Sequence, residues 1–270
     1  MNLKHTLAGL MLLATLFSCS KDNETNFNAD KQGQVKLKFD NIVGGKTLVL
    51  SSYNYSNGSN EQFNIETLKY FISNIKLTNT KGEIYTVPKK DAYFLVDASK
   101  QASLFPTVKV PEGKYQKLEF TLGLDKETNI LPLEERTGIL DISANDMYWG
   151  WNTGYIFFKM EGNSPVSTAK DKKFRYHIGL FGGDKTPTKD NVKVIQVDLT
   201  AAGAAEVKEN LSSDIHLMVD LGKVFDGPNK ISIATNSTVM VGGPNDLIAD
   251  NYAGMFRHDH THNFQKLSNE

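Results

Sequence analysis

Apolar and polar residues alternate along most of this chain from residue 34 onward. In Val35-Lys-Leu-Lys-Phe39 an extended backbone puts Val35, Leu37 and Phe39 on one face and the lysines on the other. Runs of the same kind follow at 47–50, 70–77, 84–87, 93–96, 107–110 and 114–122, then at 155–161, 173–178, 192–199, 214–219 and 230–233. Turn signals separate them, among them Val43-Gly-Gly45, Asn57-Gly58, Thr80-Lys-Gly82 and Val110-Pro-Glu-Gly113. This cadence predicts an all-β fold, a single antiparallel β-sandwich domain with few short helices, over residues 34–270. One helical turn is expected in Asn64–Tyr70, with short helices at Leu131–Arg136 and Leu221–Phe225. The Gly- and Pro-rich stretch Val241-Gly-Gly-Pro-Asn245 and the histidine-rich end read as a long excursion over the domain.

The first residues break the pattern. Lys4 and His5 precede an apolar run from Leu7 to Phe17, about a dozen residues where a bilayer span takes roughly 20. Residues 1–18 therefore read as a signal peptide. Leu16-Phe17-Ser18-Cys19 has the form of a lipobox, so Cys19 is the expected site of lipidation and the first residue of the mature chain. Residues 19–33 are polar and turn-rich, as in a flexible tether. The expectation is a protein of the cell envelope, held to a membrane by its N-terminal lipid and facing the periplasm or the cell exterior.

Composition narrows the chemistry. Cys19 is the only cysteine, so no internal disulfide forms and a metal site in the domain must do without thiolate. A formal net charge of −1 gives no electrostatic case for nucleic acid. The Gly-Gly pairs lack a phosphate-loop context and no serine sits in a nucleophile elbow, so a non-catalytic role is expected.

Two scarce residue types remain. Both tryptophans lie in Asp146-Met-Tyr-Trp-Gly-Trp-Asn-Thr-Gly-Tyr155, where an extended backbone puts Trp149 and Trp151 on one side. Such a pair fills a core, or docks a carbohydrate or a protein partner if exposed. His177 and His216 sit inside predicted strands, and imidazoles on neighbouring strands hold copper or zinc where thiols are absent. In His258-Asp-His-Thr-His262 strict alternation would turn all three imidazoles to one side. Met255 is a nearby soft donor which, with imidazole, suits Cu(I).

At these residues the chain resembles the MbnP-like family of methanobactin-associated periplasmic copper-binding proteins. The resemblance is carried by Tyr70-Phe-Ile-Ser-Asn-Ile-Lys-Leu77, Met147-Tyr-Trp-Gly-Trp-Asn-Thr-Gly-Tyr155, Lys159-Met-Glu-Gly162 and Phe174-Arg-Tyr-His-Ile-Gly179. Ile215-His-Leu-Met-Val-Asp220 and Met255-Phe-Arg-His-Asp-His260 extend it. It implies a β-rich, secreted or lipid-anchored copper protein with a dihaem peroxidase-like enzyme as partner. In related proteins that enzyme oxidises a tryptophan to kynurenine, whose aniline nitrogen and carbonyl are donors that indole lacks. Carried over, Trp149 or Trp151 is the oxidised residue, and His177, His216, His258 and His260 are the copper ligands.

Overall fold

In the computed structural model, residues 26–52, 55–150 and 154–267 are described; the signal peptide, Cys19 and Trp151 lie outside them. Within them the alternating runs form two sheets that face each other. The five-stranded sheet is centred on Gln32–Val43 and Leu211–Asp220, with Phe256–Lys266 at one edge. The ten-stranded sheet is built around Thr67–Asn79, Gly113–Leu122, Gly154–Asn163 and Lys173–Gly179. Val35, Leu37, Phe39, Ile215, Leu217 and Val219 from the smaller sheet meet Tyr70, Ile72, Phe120, Phe158 and Tyr176 from the larger one in a common core.

The sandwich is not wholly antiparallel. Gln32–Val43 pairs in parallel with Leu211–Asp220 over nine positions, Gln34 opposite Ser212 through Ile42 opposite Asp220. A parallel pair needs a long connection, and here nearly the whole domain supplies it. The N-terminal strand begins at Gln32, inside the stretch expected to be tether, and just before it the Asn28 amide donates to Glu112 Oε2 at 2.8 Å.

A second apolar layer covers the outer face of the larger sheet. Phe71 and Phe157 point away from the shared core and pack with Leu95, Leu124, Leu140, Met147, Trp149 and Tyr155. The molecule thus stacks an outer aromatic layer, the large sheet, the core and the small sheet. The far face of the small sheet is polar.

Three local expectations are corrected. Asn64–Tyr70 is extended rather than helical: the Asn64 and Glu66 amides donate to Asn163 O and Glu161 O, and the strand Thr67–Asn79 follows. Pairing with Gly154–Asn163 overrides the local helical pattern. Residues 230–233 form no strand: Lys230 makes an isolated bridge to Asp226 and a turn follows at 233–235, where the Glu61 carboxylate accepts from the Ile233 amide at 2.7 Å, the Ala234 amide at 3.1 Å and Ser232 Oγ at 2.7 Å. The expected C-terminal excursion is instead a helix, Asn245–Tyr252, with Ile248, Ala249 and Tyr252 buried, followed by the edge strand Phe256–Lys266.

Candidate metal centre

The Leu211–Asp220 strand alternates strictly between Ile215, Leu217 and Val219, all in the core, and Asp214, His216 and Met218 on the outer face. Its parallel neighbour puts Lys38 beside His216 and Lys36 beside Asp214. On its other side the edge strand pairs antiparallel, with His260 opposite His216 and His262 opposite Asp214. Three imidazoles therefore share one patch of the outer face. Ring centroids are 4.1 Å apart for His216 and His260, 4.6 Å for His260 and His262, and 5.1 Å for His216 and His262. One nitrogen from each lies within 4.8 Å of the other two, and among the described residues this is the group of side chains arranged to share an ion.

The third histidine of the terminal tract does not join them. The register slips between His216 and Leu217: His216 pairs with His260 but Leu217 with His258, leaving Asp259 as an extra residue in a β-bulge. The expectation that His258, His260 and His262 turn to one side assumed unbroken alternation. One inserted residue reverses it, so His258 follows Leu217 toward the interior and its Nε2 lies 2.9 Å from Thr261 Oγ1. Met255 also points inward, 1 % exposed within the core, and is no donor to the outer face.

His177 lies on a different sheet. It alternates with Phe174, Tyr176 and Ile178 of the core and so faces outward from the large sheet, where its Nε2 meets Glu161 Oε1 at 2.5 Å. That hydrogen bond, followed by the charge of Lys159, holds the Glu161 carboxyl below its ordinary range. Lys159 Nζ reaches on to Asp146 Oδ2 at 2.5 Å, tying this face to the start of the tryptophan segment. Trp149 is 3 % exposed and packs against Gly179, where a Cβ would stand 2.7 Å from its ring. It offers no docking platform. Two sheets and the core separate it from the three clustered imidazoles.

The chemistry of the cluster suits a borderline or soft cation. Three imidazoles offer three nitrogen donors and leave a further coordination position toward solvent. Partial burial, then the charges of His260, Lys38 and His262, lower the His216 pKa below 6.5, which keeps this ring unprotonated at neutral pH and ready to bind. His258 is lowered too, chiefly by burial. Both shifts disfavour the protonated form in the fold, so in the window below 6.5 the unfolded chain binds more protons and stability rises with pH. The metal-free protein is therefore expected to lose stability as pH falls from 6.5 through the folded-state values, a loss that His258→Gln reduces. Urea midpoints measured across that window test this, and a flat profile would overturn it. Carboxylates act lower: Glu112, held at about 2 chiefly by the Asn28 and Glu209 amides, contributes stability that is lost below 4.5.

Of the four histidines expected as ligands, the structure brings His216 and His260 together and leaves His177 and His258 elsewhere. The third place is taken by His262. The spacing of two residues between His260 and His262 was its signal, since either side of the bulge alternation still holds.

The family model MbnP matches residues 32–241, a range that contains His216, His177 and both tryptophans but ends before His260 and His262. The solved structure of MbnP from Methylosinus trichosporium is similar, with a TM-score of 0.56 and 17% sequence identity, covering 79% of this chain and 82% of that one. At that identity the likeness shows the fold. No curated protein matches in a sequence search.

Proposed function

The chain belongs to the MbnP family, and on that premise we propose that it is a membrane-anchored, extracytoplasmic copper-binding protein rather than an enzyme. The observation that carries the metal reading is the cluster of His216, His260 and His262, with nitrogens within 4.8 Å of one another on a solvent-facing sheet. Imidazole is a good donor to copper, and with no cysteine in the folded domain nitrogen is the strongest donor type at hand. When bound, copper would take a nitrogen from each of the three rings. Lys38 lies beside His216, and burial with nearby positive charge keeps that ring neutral, so no proton must leave it before it binds.

Titration of the purified protein with Cu(I) under reducing conditions, against a competing chromophoric chelator, tests the reading. One equivalent of tight binding that vanishes in the His216→Ala/His260→Ala/His262→Ala variant supports it. Equal binding by the two proteins overturns it.

Two further parts of the proposal rest on sequence. Lipidation at Cys19 supplies the membrane attachment, because more than one acyl chain makes anchoring durable. Cys19→Ala is expected to move the protein from the membrane pellet to the soluble fraction on cell fractionation; retention in the pellet would count against lipid anchoring. Oxidation of Trp149 or Trp151 by a dihaem enzyme is the second part. Trp149 lies in the outer aromatic layer across the sandwich from the imidazole cluster, so in this reading the cluster assembles from unmodified side chains.

A further inference from the structure

The bulge residue Asp259 does more than interrupt the strand. Its Oδ2 lies 2.9 Å from His260 Nδ1. Its other oxygen, Oδ1, faces Arg257 Nη1 at 3.7 Å, which leaves Oδ2 directed to the ring. A carboxylate accepts and cannot donate when ionised, so Nδ1 of His260 must carry the proton and Nε2 is left with its lone pair free. Nε2 is then the nitrogen that can meet a metal shared with His216 and His262. An acceptor on the far side of a metal-binding imidazole fixes its tautomer and orientation and raises its basicity.

The same inserted residue separates His258 from His260. Were Asp259 to take a regular place in the strand instead of bulging, alternation would carry His258 to the outer face as well, where a further imidazole would crowd His216 and His260, whose rings already stand 4.1 Å apart. The bulge thus selects two of the three terminal histidines and supplies the carboxylate that orders one of them.

We propose that Asp259 is the positioning residue of the His216, His260 and His262 site: it does not touch the metal but holds His260 with Nε2 presented to it. The proposal rests on the copper reading above. Asp259, with His260 and His262, lies past residue 241, beyond the part matched by the family model.

Cu(I) affinities of wild type, Asp259→Ala, Asp259→Asn and Asp259→Glu, measured by chelator competition, provide the test. Loss of an outer hydrogen-bond partner typically weakens metal binding about 10–100-fold, and the alanine variant is expected in that range. The asparagine variant keeps an acceptor without its charge and should fall between alanine and wild type, while the glutamate variant should recover most of the affinity. A purely structural role for the bulge would not alter the ring tautomer, so ¹⁵N NMR of His260 in the metal-free protein is the second readout. Wild type should show the Nδ1-protonated form, and Asp259→Ala a mixture. Wild-type affinity in the alanine variant, or an unchanged tautomer, would overturn the role of Asp259 while leaving copper binding intact. If wild type binds no copper beyond the triple alanine variant, the copper reading falls and this inference with it.

Discussion

Replacing His216 alone by alanine is expected to weaken Cu(I) binding more than about 100-fold, beyond the range seen for partners that merely support a ligand. The argument is geometric. His216 stands on the inner of the two strands, flanked by the Gln32–Val43 strand and the edge strand, and its ring is the one held closest to His260, at 4.1 Å. Removing it leaves His260 and His262, two residues apart on an edge strand, where a two-nitrogen site has little to fix its geometry. His177→Ala and His258→Ala are the matched controls. His177 faces outward from the other sheet with Glu161 as partner, and His258 is turned inward against Thr261. Both controls should bind copper like wild type. Parallel competition titrations of the three variants decide the point: a His177→Ala loss as large as that of His216→Ala would move the site to the tryptophan-bearing face.

The largest effect on stability is expected from Phe39→Ala. Phe39 is 1 % exposed and makes edge contacts with Tyr70, Phe120 and Phe256 at centroid distances of 6.0, 5.9 and 6.2 Å. Tyr70 and Phe120 belong to the large sheet, and Phe256 opens the strand that carries His260 and His262. One ring therefore joins three elements, and its truncation leaves a cavity at the junction between the sheets. Phenylalanine-to-alanine changes in such cores cost about 3–5 kcal/mol. For a domain of this size that lowers Tm by roughly 6–20 °C. Val49, 57 % exposed, is the control, and Val49→Ala should stay within about 0.5 kcal/mol of wild type. Calorimetry on the two variants tests this, and equal Tm values would mean that the aromatic junction does not hold the sheets together. Because copper binds the folded state alone in the proposed reading, saturating Cu(I) should return part of the lost Tm in Phe39→Ala.

Strands with a clean period of two, such as Val35–Phe39 and Asp214–Val219, were legible because their buried face is written in every second residue. The helix Asn245–Tyr252 was not, since the Gly- and Pro-rich run before it resembles a loop and its apolar residues are few. Asn64–Glu66 misled for the opposite reason: a local helical pattern lost to backbone pairing with residues nearly 100 positions away.

By itself the sequence determined the class of fold, through alternation, and the class of donor, through the absence of any cysteine beyond Cys19. It also determined which histidines were eligible. Which of them meet was decided by tertiary structure alone. His216 and His260 lie 44 positions apart, and their pairing depends on a register fixed by how Leu217, Val219 and Phe256 pack into the core. A side-chain period of two makes that outcome sensitive to a single residue. Asp259, inserted between His258 and His260, turns one imidazole into the interior and leaves its neighbours facing solvent, and no pattern read along one strand reveals a slip that exists only between two.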